Sequence, residues 1–202
     1  MRIGPKYKIA RRLGAPVFEK TQTAKYALSL ARKERTRGKG RGKPKSEFGR
    51  ELIEKQKARF TYGLGEKQFR SYVDKSLHAP EPTQKLFAML ESRLDNVLYR
   101  AGILKTRAEA RQASSHGHIM INDKRVTVPS ILLSKGDVVS LRKASAQSPL
   151  FGEVAERIKA MSVPLWLKAD PIEKRVTVEG QAIYVPQEQV FDLGVVIEFY
   201  SR

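Results

Sequence analysis

The sequence predicts an α+β protein: a small helical bundle, a unit of two helices packed on a small twisted sheet, and a basic N-terminal extension. Three observations carry that prediction. Apolar residues recur at helical spacing from Phe48 to Ala101, they alternate in short runs from Ile119 to Leu141, and positive charge is concentrated at the start of the chain.

The charge pattern narrows the function. Lys+Arg 39 against Asp+Glu 21 gives a formal net charge of +18 over 202 residues. A surplus of that size repels itself in the folded state and implies a polyanionic partner, nucleic acid or anionic membrane. Residues 1–50 hold 16 basic side chains and 3 acids, residues 51–149 hold 17 and 10, and residues 150–202 hold 6 and 8. Membrane fits poorly, because no run approaches the roughly 18 apolar residues of a spanning helix. "MRIGPKYKIARRLG" has no apolar signal core. The absence of cysteine removes disulfides and thiolate-bound metals, so a soluble intracellular protein is expected.

The first 45 residues form the extension. Within them "RKERTRGKGRGKPK", residues 32–45, carries eight basic residues, three glycines and a proline without any period. Such a stretch buries too little apolar area to offset its ordering entropy, so it is read as an arm that orders against phosphates. From Ser46, a candidate N-cap, Phe48, Leu52, Ile53 and Phe60 predict a helix. "YGLGEKQF" breaks it. Phe69, Tyr72, Val73 and Leu77 mark a second helix and Leu86, Phe87 and Leu90 a third, which together make a helical domain over residues 46–90.

Residues 91–180 read as the α/β domain. Leu94, Val97, Leu98 and Ala101 form one helix face, and Gly102 suits the position after its end. Thr106-x-x-Glu109 is a capping box, so the next helix begins at Arg107. Ile119 and Ile121, Val126 and Val128, then Val139 and Leu141 alternate as three strands. Residues 150–161 look helical, "RVTVEGQAIYVP" reads as a hairpin, and "VVIEFYSR" is apolar enough to be buried.

Arg93, Arg100, Arg107, Arg111, Lys124 and Arg125 all fall in the α/β domain. Arg107 sits in a helix's first turn, where backbone N–H groups favour an anion, and arginine's planar fork matches phosphate. His116 and His118 flank Gly117, suited to phosphate or to stacking on a base. The competing reading pairs these arginines with Glu91, Asp95 and Glu109 on a solvated face. A His-Gly-His metal site lacks further ligands.

"ESRLDNVLYRAGILKTRAEARQASSHGHIMINDKRVTVPSILLSKGDVV", residues 91–139, resembles the small RNA-binding fold named after ribosomal protein four of the small subunit. That module also occurs in some pseudouridine synthases, tyrosyl-tRNA synthetases and heat-shock proteins. "GPKYKIARRLG", "YGLGEKQFR" and "VIEFYSR" extend the resemblance over essentially the whole chain to the small-subunit ribosomal protein four family.

The resemblance implies a structural, non-enzymatic component of the small ribosomal subunit that needs no cofactor and no metal. It further implies primary binding of small-subunit ribosomal RNA at a multi-helix junction, nucleation of assembly and an influence on decoding accuracy. Ribosomal protein five and messenger RNA near the entry channel are implied partners, in the bacterial cytoplasm or in an organelle such as a plastid. The α/β domain would be inserted into the helical one, completed by residues 181–202. Carried over by motif, Arg93, Arg107, Arg111, His116, His118 and Lys124 face RNA, while Asp95 and Asn96 suit either a structural hydrogen bond or an RNA contact, the structural role being favoured. The other side chains expected on RNA are Arg2, Lys6, Lys8, Arg11 and Arg12, then Arg35, Arg37, Arg41, Lys43 and Lys45 in the arm. Arg59, Lys67 and Arg70 complete the set.

Some members bind zinc through cysteines that begin just after Gly-Pro-Lys. Tyr7 stands there in this chain, so a zinc-free N-terminus ordered by RNA is expected. An RNA-modifying enzyme would need a catalytic constellation that neither flank shows. A free RNA chaperone of the heat-shock type, acting on stalled ribosomal complexes, would account for the charge and the module but not for the flanking motifs.

Overall fold

A computed structural model describes residues 3–36 and 46–201. Its helices are α1 (Lys6–Leu13), α2 (Ala24–Thr36), α3 (Glu47–Thr61), α4 (Glu66–Leu77), α5 (Pro82–Glu91), α6 (Leu94–Arg100), α7 (Arg107–Ser115), α8 (Val154–Ala160) and α9 (Leu193–Ser201). Its strands are β1 (Ile119–Ile121), β2 (Lys124–Val126), β3 (Val138–Leu141), β4 (Leu167–Asp170) and β5 (Arg175–Val178). The chain divides into two units, Met1–Leu86 with Tyr184–Arg202, and Phe87–Ile183. Among the described residues no helix is long and apolar enough to cross a membrane.

In the first unit, α1 closes at Gly14, whose φ of +70° lets its N–H reach the Ala10 carbonyl. Thr21 fastens the next turn: its hydroxyl donates to the Phe18 carbonyl at 2.6 Å. Ala10, Leu13, Ala15, Val17, Phe18 and Tyr26 then bury one apolar cluster, with Tyr7, Ile53 and Phe60 packed against it. The sequence reading treats this segment as an extension ordered by RNA and irregular from Arg32. Instead α2 continues to Thr36, and apolar packing holds the segment. Tyr7, which stands where other members place cysteine, packs its ring 5.1 Å from that of Tyr26. Residues 37–45 of the arm lie outside the described residues.

Ser46 caps α3 as expected, accepting from the Gly49 N–H at 3.2 Å. α4 buries Phe69, Tyr72 and Val73. α9 packs on α3 and α4, tied by Glu54 accepting from the Asp192 N–H at 3.0 Å. It buries Leu193 and Val196 but leaves Ile197, Phe199 and Tyr200 only half-buried, less than its apolar sequence suggests.

The second unit is built on an antiparallel sheet of order β2-β1-β3-β5-β4. Asn122 and Asp123 both take positive φ (47° and 63°), the requirement of a tight two-residue hairpin, and so join β1 to β2. Ile119, Val139, Leu141, Val176 and Val178 face the core together with Leu94, Val97, Leu98, Ala110, Ala113, Phe151 and Ile158. Two expectations fail here. β2 stops at Val126 and leaves Val128 exposed. "RVTVEGQAIYVP" is not a hairpin: only Arg175–Val178 is a strand, paired with β3 and β4. Its partners come from elsewhere in the sequence because β5 is a central strand, buried on the core side by α8 and its neighbours.

A polar knot beneath α9 gives the first unit an acid-sensitive joint. Lys55 Nζ donates to Glu66 Oε1 at 2.7 Å and lies over the Phe199 and Tyr200 rings at 4.7 and 5.6 Å. The Tyr200 hydroxyl donates to the same oxygen at 2.7 Å. Burial works to raise the Glu66 carboxyl, but the bonds from Lys55 and Tyr200 and the charges of Lys55 and Arg59 outweigh it and hold the group below its ordinary 4.5. Tyr200 is pushed up by burial and by the adjacent carboxylate. A depressed carboxyl contributes stability above its unfolded pKa and loses it as pH falls through the folded value. Melting curves of wild type and Glu66→Gln should therefore differ at neutral pH and converge below about pH 4.5. Parallel curves across that window would contradict the assignment.

Candidate nucleic-acid interface

The site grows from the join between α5 and α6. Arg93 takes an extended conformation before α6, and its backbone bridges Leu132. The Leu94 and Asp95 N–H groups donate to the Ile131 and Pro129 carbonyls at 2.9 and 3.1 Å. The β2–β3 connection is thereby pinned along the start of α6. Arg93 is turned inward at 2% exposure. It donates from Nε to Asp95 Oδ1 at 2.9 Å and from Nη2 to Oδ2 at 2.8 Å, a forked pair.

From across the interhelical seam, Arg111 of α7 donates Nε and Nη2 to the same Asp95 Oδ2 at 3.0 and 2.9 Å. A second arm of the network starts at buried Glu91, which receives Arg100 Nε and Nη2 at 2.9 and 3.0 Å. Asn96 Nδ2 also reaches the Glu91 side chain, at 3.1 Å, and Asn96 Oδ1 accepts from Arg107 Nε at 2.7 Å. The Arg107 guanidinium lies over the Tyr99 ring at 4.3 Å. α7 starts at Arg107 because Thr106 Oγ1 accepts from the Glu109 N–H at 3.1 Å. Glu109 returns its carboxylate one residue earlier than a capping box requires, to the Lys105 N–H.

Three guanidinium groups thus share two buried carboxylates, a fourth is held by the Asn96 amide, and the surplus is positive. Arg100 and Arg111 remain 31% and 26% exposed. Their orientation is fixed in advance by acids and an amide that solvent hardly reaches, so little side-chain entropy remains to be lost on meeting a phosphate.

The structure places one of the residues expected on RNA in the interior. Arg93 was expected on RNA, and burial against Asp95 removes it from that role: it is a structural latch. Asp95 and Asn96 are structural, as expected. Arg107, Arg111, His116, His118 and Lys124 are gathered on α7 and the β1–β2 hairpin that follows it. Gly117, at φ +72°, turns the chain between the two histidines, whose rings lie 5.9 Å apart. His118 Nδ1 is 2.9 Å from Ser145 Oγ, and its ring meets Phe151 edge-on. Among the described residues no third His, Cys, Asp or Glu joins them as a metal group.

The first unit carries the other expected residues. Lys8 and Arg12 are exposed on α1, Arg11 is half-buried, and Lys6 lies 5.8 Å over Phe18. Lys67 and Arg70 are exposed on α4. Arg59 stacks on Phe60 at 4.6 Å and binds Gln56, so it presents only part of its surface. Arg2, Arg37, Arg41, Lys43 and Lys45 lie outside the described residues, and of Arg35 only its place in α2 is described.

Sequence reasoning missed Tyr99, the platform under Arg107, although its i, i+8 spacing from that residue was visible. It also missed Arg142, Lys143 and Arg175, which the sheet turns outward. Period-two alternation in "VVSLRK" and "KRVTV" was the available signal.

Two family models match the chain. Residues 1–95 match the ribosomal protein S4/S9 N-terminal domain, and residues 92–139 match the S4 domain. Small ribosomal subunit protein uS4 of Aquifex aeolicus is 38% identical over 213 residues, covering 99% of this chain and 98% of the relative. That of Halothermothrix orenii is 39% identical over 209 residues, with 98% of each chain covered. That of Corynebacterium kroppenstedtii is 45% identical over 163 residues, covering 78% and 79%.

Removing the shared carboxylate should be costly, because it strands a buried guanidinium. Asp95→Ala is expected to lose about 3–5 kcal/mol in urea denaturation. Asp95→Leu combined with Arg93→Met should recover most of that, since a well-packed apolar pair often matches a buried ion pair. A single variant as stable as wild type would show that the latch contributes nothing.

Proposed function

The chain belongs to the small ribosomal subunit protein uS4 family, and from that premise we propose that it is a structural component of the small ribosomal subunit that binds small-subunit ribosomal RNA. The observation that carries the reading is the extent of the match. The relatives align along nearly the full length of both chains, and the two matched models overlap at residues 92–95. A shared module alone would have left a chaperone or a modifying enzyme in contention. The match of residues 1–95 to a ribosomal protein's own N-terminal domain leaves the chaperone reading without support.

The mechanism is shape readout. RNA helices display phosphates and 2′-hydroxyls to a protein that cannot read their deep groove, so rigidly placed cations decide the fit. In the second unit, Arg100, Arg107 and Arg111 are fixed by Glu91, Asn96 and Asp95, with Lys124 exposed on the edge strand beside them in sequence. In the first, exposed Lys8, Arg12, Lys67 and Arg70 supply further positive charge. The role is binding rather than catalysis.

Finer assignments follow from the family resemblance. The RNA target is a multi-helix junction in the five-prime domain of small-subunit ribosomal RNA, bound early enough to nucleate assembly. Ribosomal protein five is a neighbour at an interface that affects decoding accuracy, and basic residues lie near the messenger RNA entry channel. The bacterial sources of the relatives favour a bacterial cytoplasmic ribosome.

A titration against the five-prime domain, with an equally long scrambled-fold RNA as competitor, tests the proposal. With about eight phosphates neutralised, the log–log salt slope should lie on the order of −5 to −7. Binding should survive the competitor at moderate salt. Equal affinity for both RNAs, or a slope near −2, would reduce the protein to a nonspecific coat.

A further inference from the structure

We propose that the outer face of the sheet in the second unit is a separate RNA-binding groove, which takes a phosphodiester segment different from the one met by α6 and α7. The inference rests on the ribosomal RNA reading above. Strand alternation sends Ile119, Val139 and Val176 to the core and turns Met120, Ser140 and Arg175 the other way. Register places these in one row: Arg125 opposite Met120, Met120 opposite Ser140, Ser140 opposite Arg175. Three strand spacings separate Arg125 from Arg175 by about 14 Å, and Asp170 continues the row opposite Arg175. Arg142 and Lys143 follow β3 to form one wall, and Lys174, whose Nζ donates to the Phe151 carbonyl at 3.3 Å, forms part of another. The resulting groove encloses about 990 Å³.

Its electrostatics are one-sided. Asp123 and Glu173 are the only acids in the lining among the described residues, and Glu173 is engaged by Arg175 at 2.8 Å. Among the described residues Arg125, Arg142 and Lys143 make no ion pair, although all three are exposed. Holding a surplus of like charges together costs the free protein, and a polyanion removes that cost by releasing its own counterions. The floor, Met120, Val138 and Ser140, offers apolar surface for sugar edges and one hydroxyl. Among the described residues no aromatic side chain lines it, so the groove suits backbone tracking more than base stacking. The helices lie on the opposite face of the sheet. A strand seated in the groove is therefore a different stretch of RNA from one against α6 and α7, and the unit bridges two segments.

The test uses the full chain carrying Arg142→Ala, Lys143→Ala and Arg175→Ala, with circular dichroism and melting confirming the fold. None of the three enters the core or the Asp95 network. Against the five-prime domain, the salt slope should fall in magnitude by about 2–3, with affinity reduced tenfold or more at about 0.1 M salt. A hydroxyl-radical footprint should lose one protected segment and keep the rest. The charge-conserving set Arg142→Lys, Lys143→Arg and Arg175→Lys should retain most of the wild-type slope. An unchanged slope with a complete footprint overturns the proposal and leaves an acidic protein surface as the groove's occupant. Failure of the ribosomal reading looks different: wild type itself would not distinguish the five-prime domain from scrambled RNA. The slope difference between wild type and variant would still decide the groove on either RNA.

Discussion

The second unit depends on one buried carboxylate. Asp95 receives two guanidinium forks, Arg93 from its own turn and Arg111 from the neighbouring helix, while its own N–H holds the β2–β3 connection. Desolvating these charges is expensive, and the attraction is worth having only if geometry is near ideal. The arrangement is therefore better understood as a device for orientation than as a source of stability. It sets the angle at which α7 leaves α6, and so where the exposed side chains of α7 stand. Glu91 repeats the pattern nearby with Arg100 and, through Asn96, with Arg107. Cations that must meet a rigid array of phosphates gain from being fixed by acids beneath them, provided the acids stay out of the partner's reach.

Legibility in the sequence followed the range of the interaction. Ser46 and Thr106 could be read as caps, and Gly102 as a helix stop, because each acts within four residues of itself. The amphipathic stripes of α4 and α6 were legible for the same reason. Arg93 was not: its burial depends on a bridge to Leu132, some forty positions away, and a lone arginine in a basic sequence looks like surface. "RVTVEGQAIYVP" misled because alternation announces a strand but never names its partner, and β5 found its partners at β3 and β4. In the N-terminal segment the basic residues drowned a genuine apolar face. Tyr7, Ala10 and Leu13 recur at three-residue spacing within α1, enough to bury against Val17, Phe18 and Tyr26.

Charge in this molecule is sorted by what lies underneath it. On the helical layer of the second unit the arginines are partly neutralised and immobilised. On the outer sheet face and along α1 and α4 the cations are more exposed, and their partners are exposed groups such as Glu173 and Asp74 rather than buried acids. An immobilised arginine suits the recognition of shape, because a forked pair tolerates little displacement of its partner. Exposed lysines tolerate such shifts and contribute attraction at a distance that salt screens. A protein that must first capture a folded RNA and then hold it in one geometry has use for both kinds.

The placement of α9 has a bearing on how the chain is made. Its contacts with α3 and α4 close loops of 138 residues between Glu54 and Asp192 and of 134 between Glu66 and Tyr200. The second unit is continuous from Phe87 to Ile183 and contains the five-stranded sheet. During synthesis from the N-terminus it is complete before α9 emerges, whereas the first unit waits for that helix with the α3–α4 surface uncovered. Non-local closure of this kind is slow, and an uncovered apolar face invites association in the interval. The interrupted unit is thus the late and vulnerable step of folding, and the arginine-bearing unit is ready first.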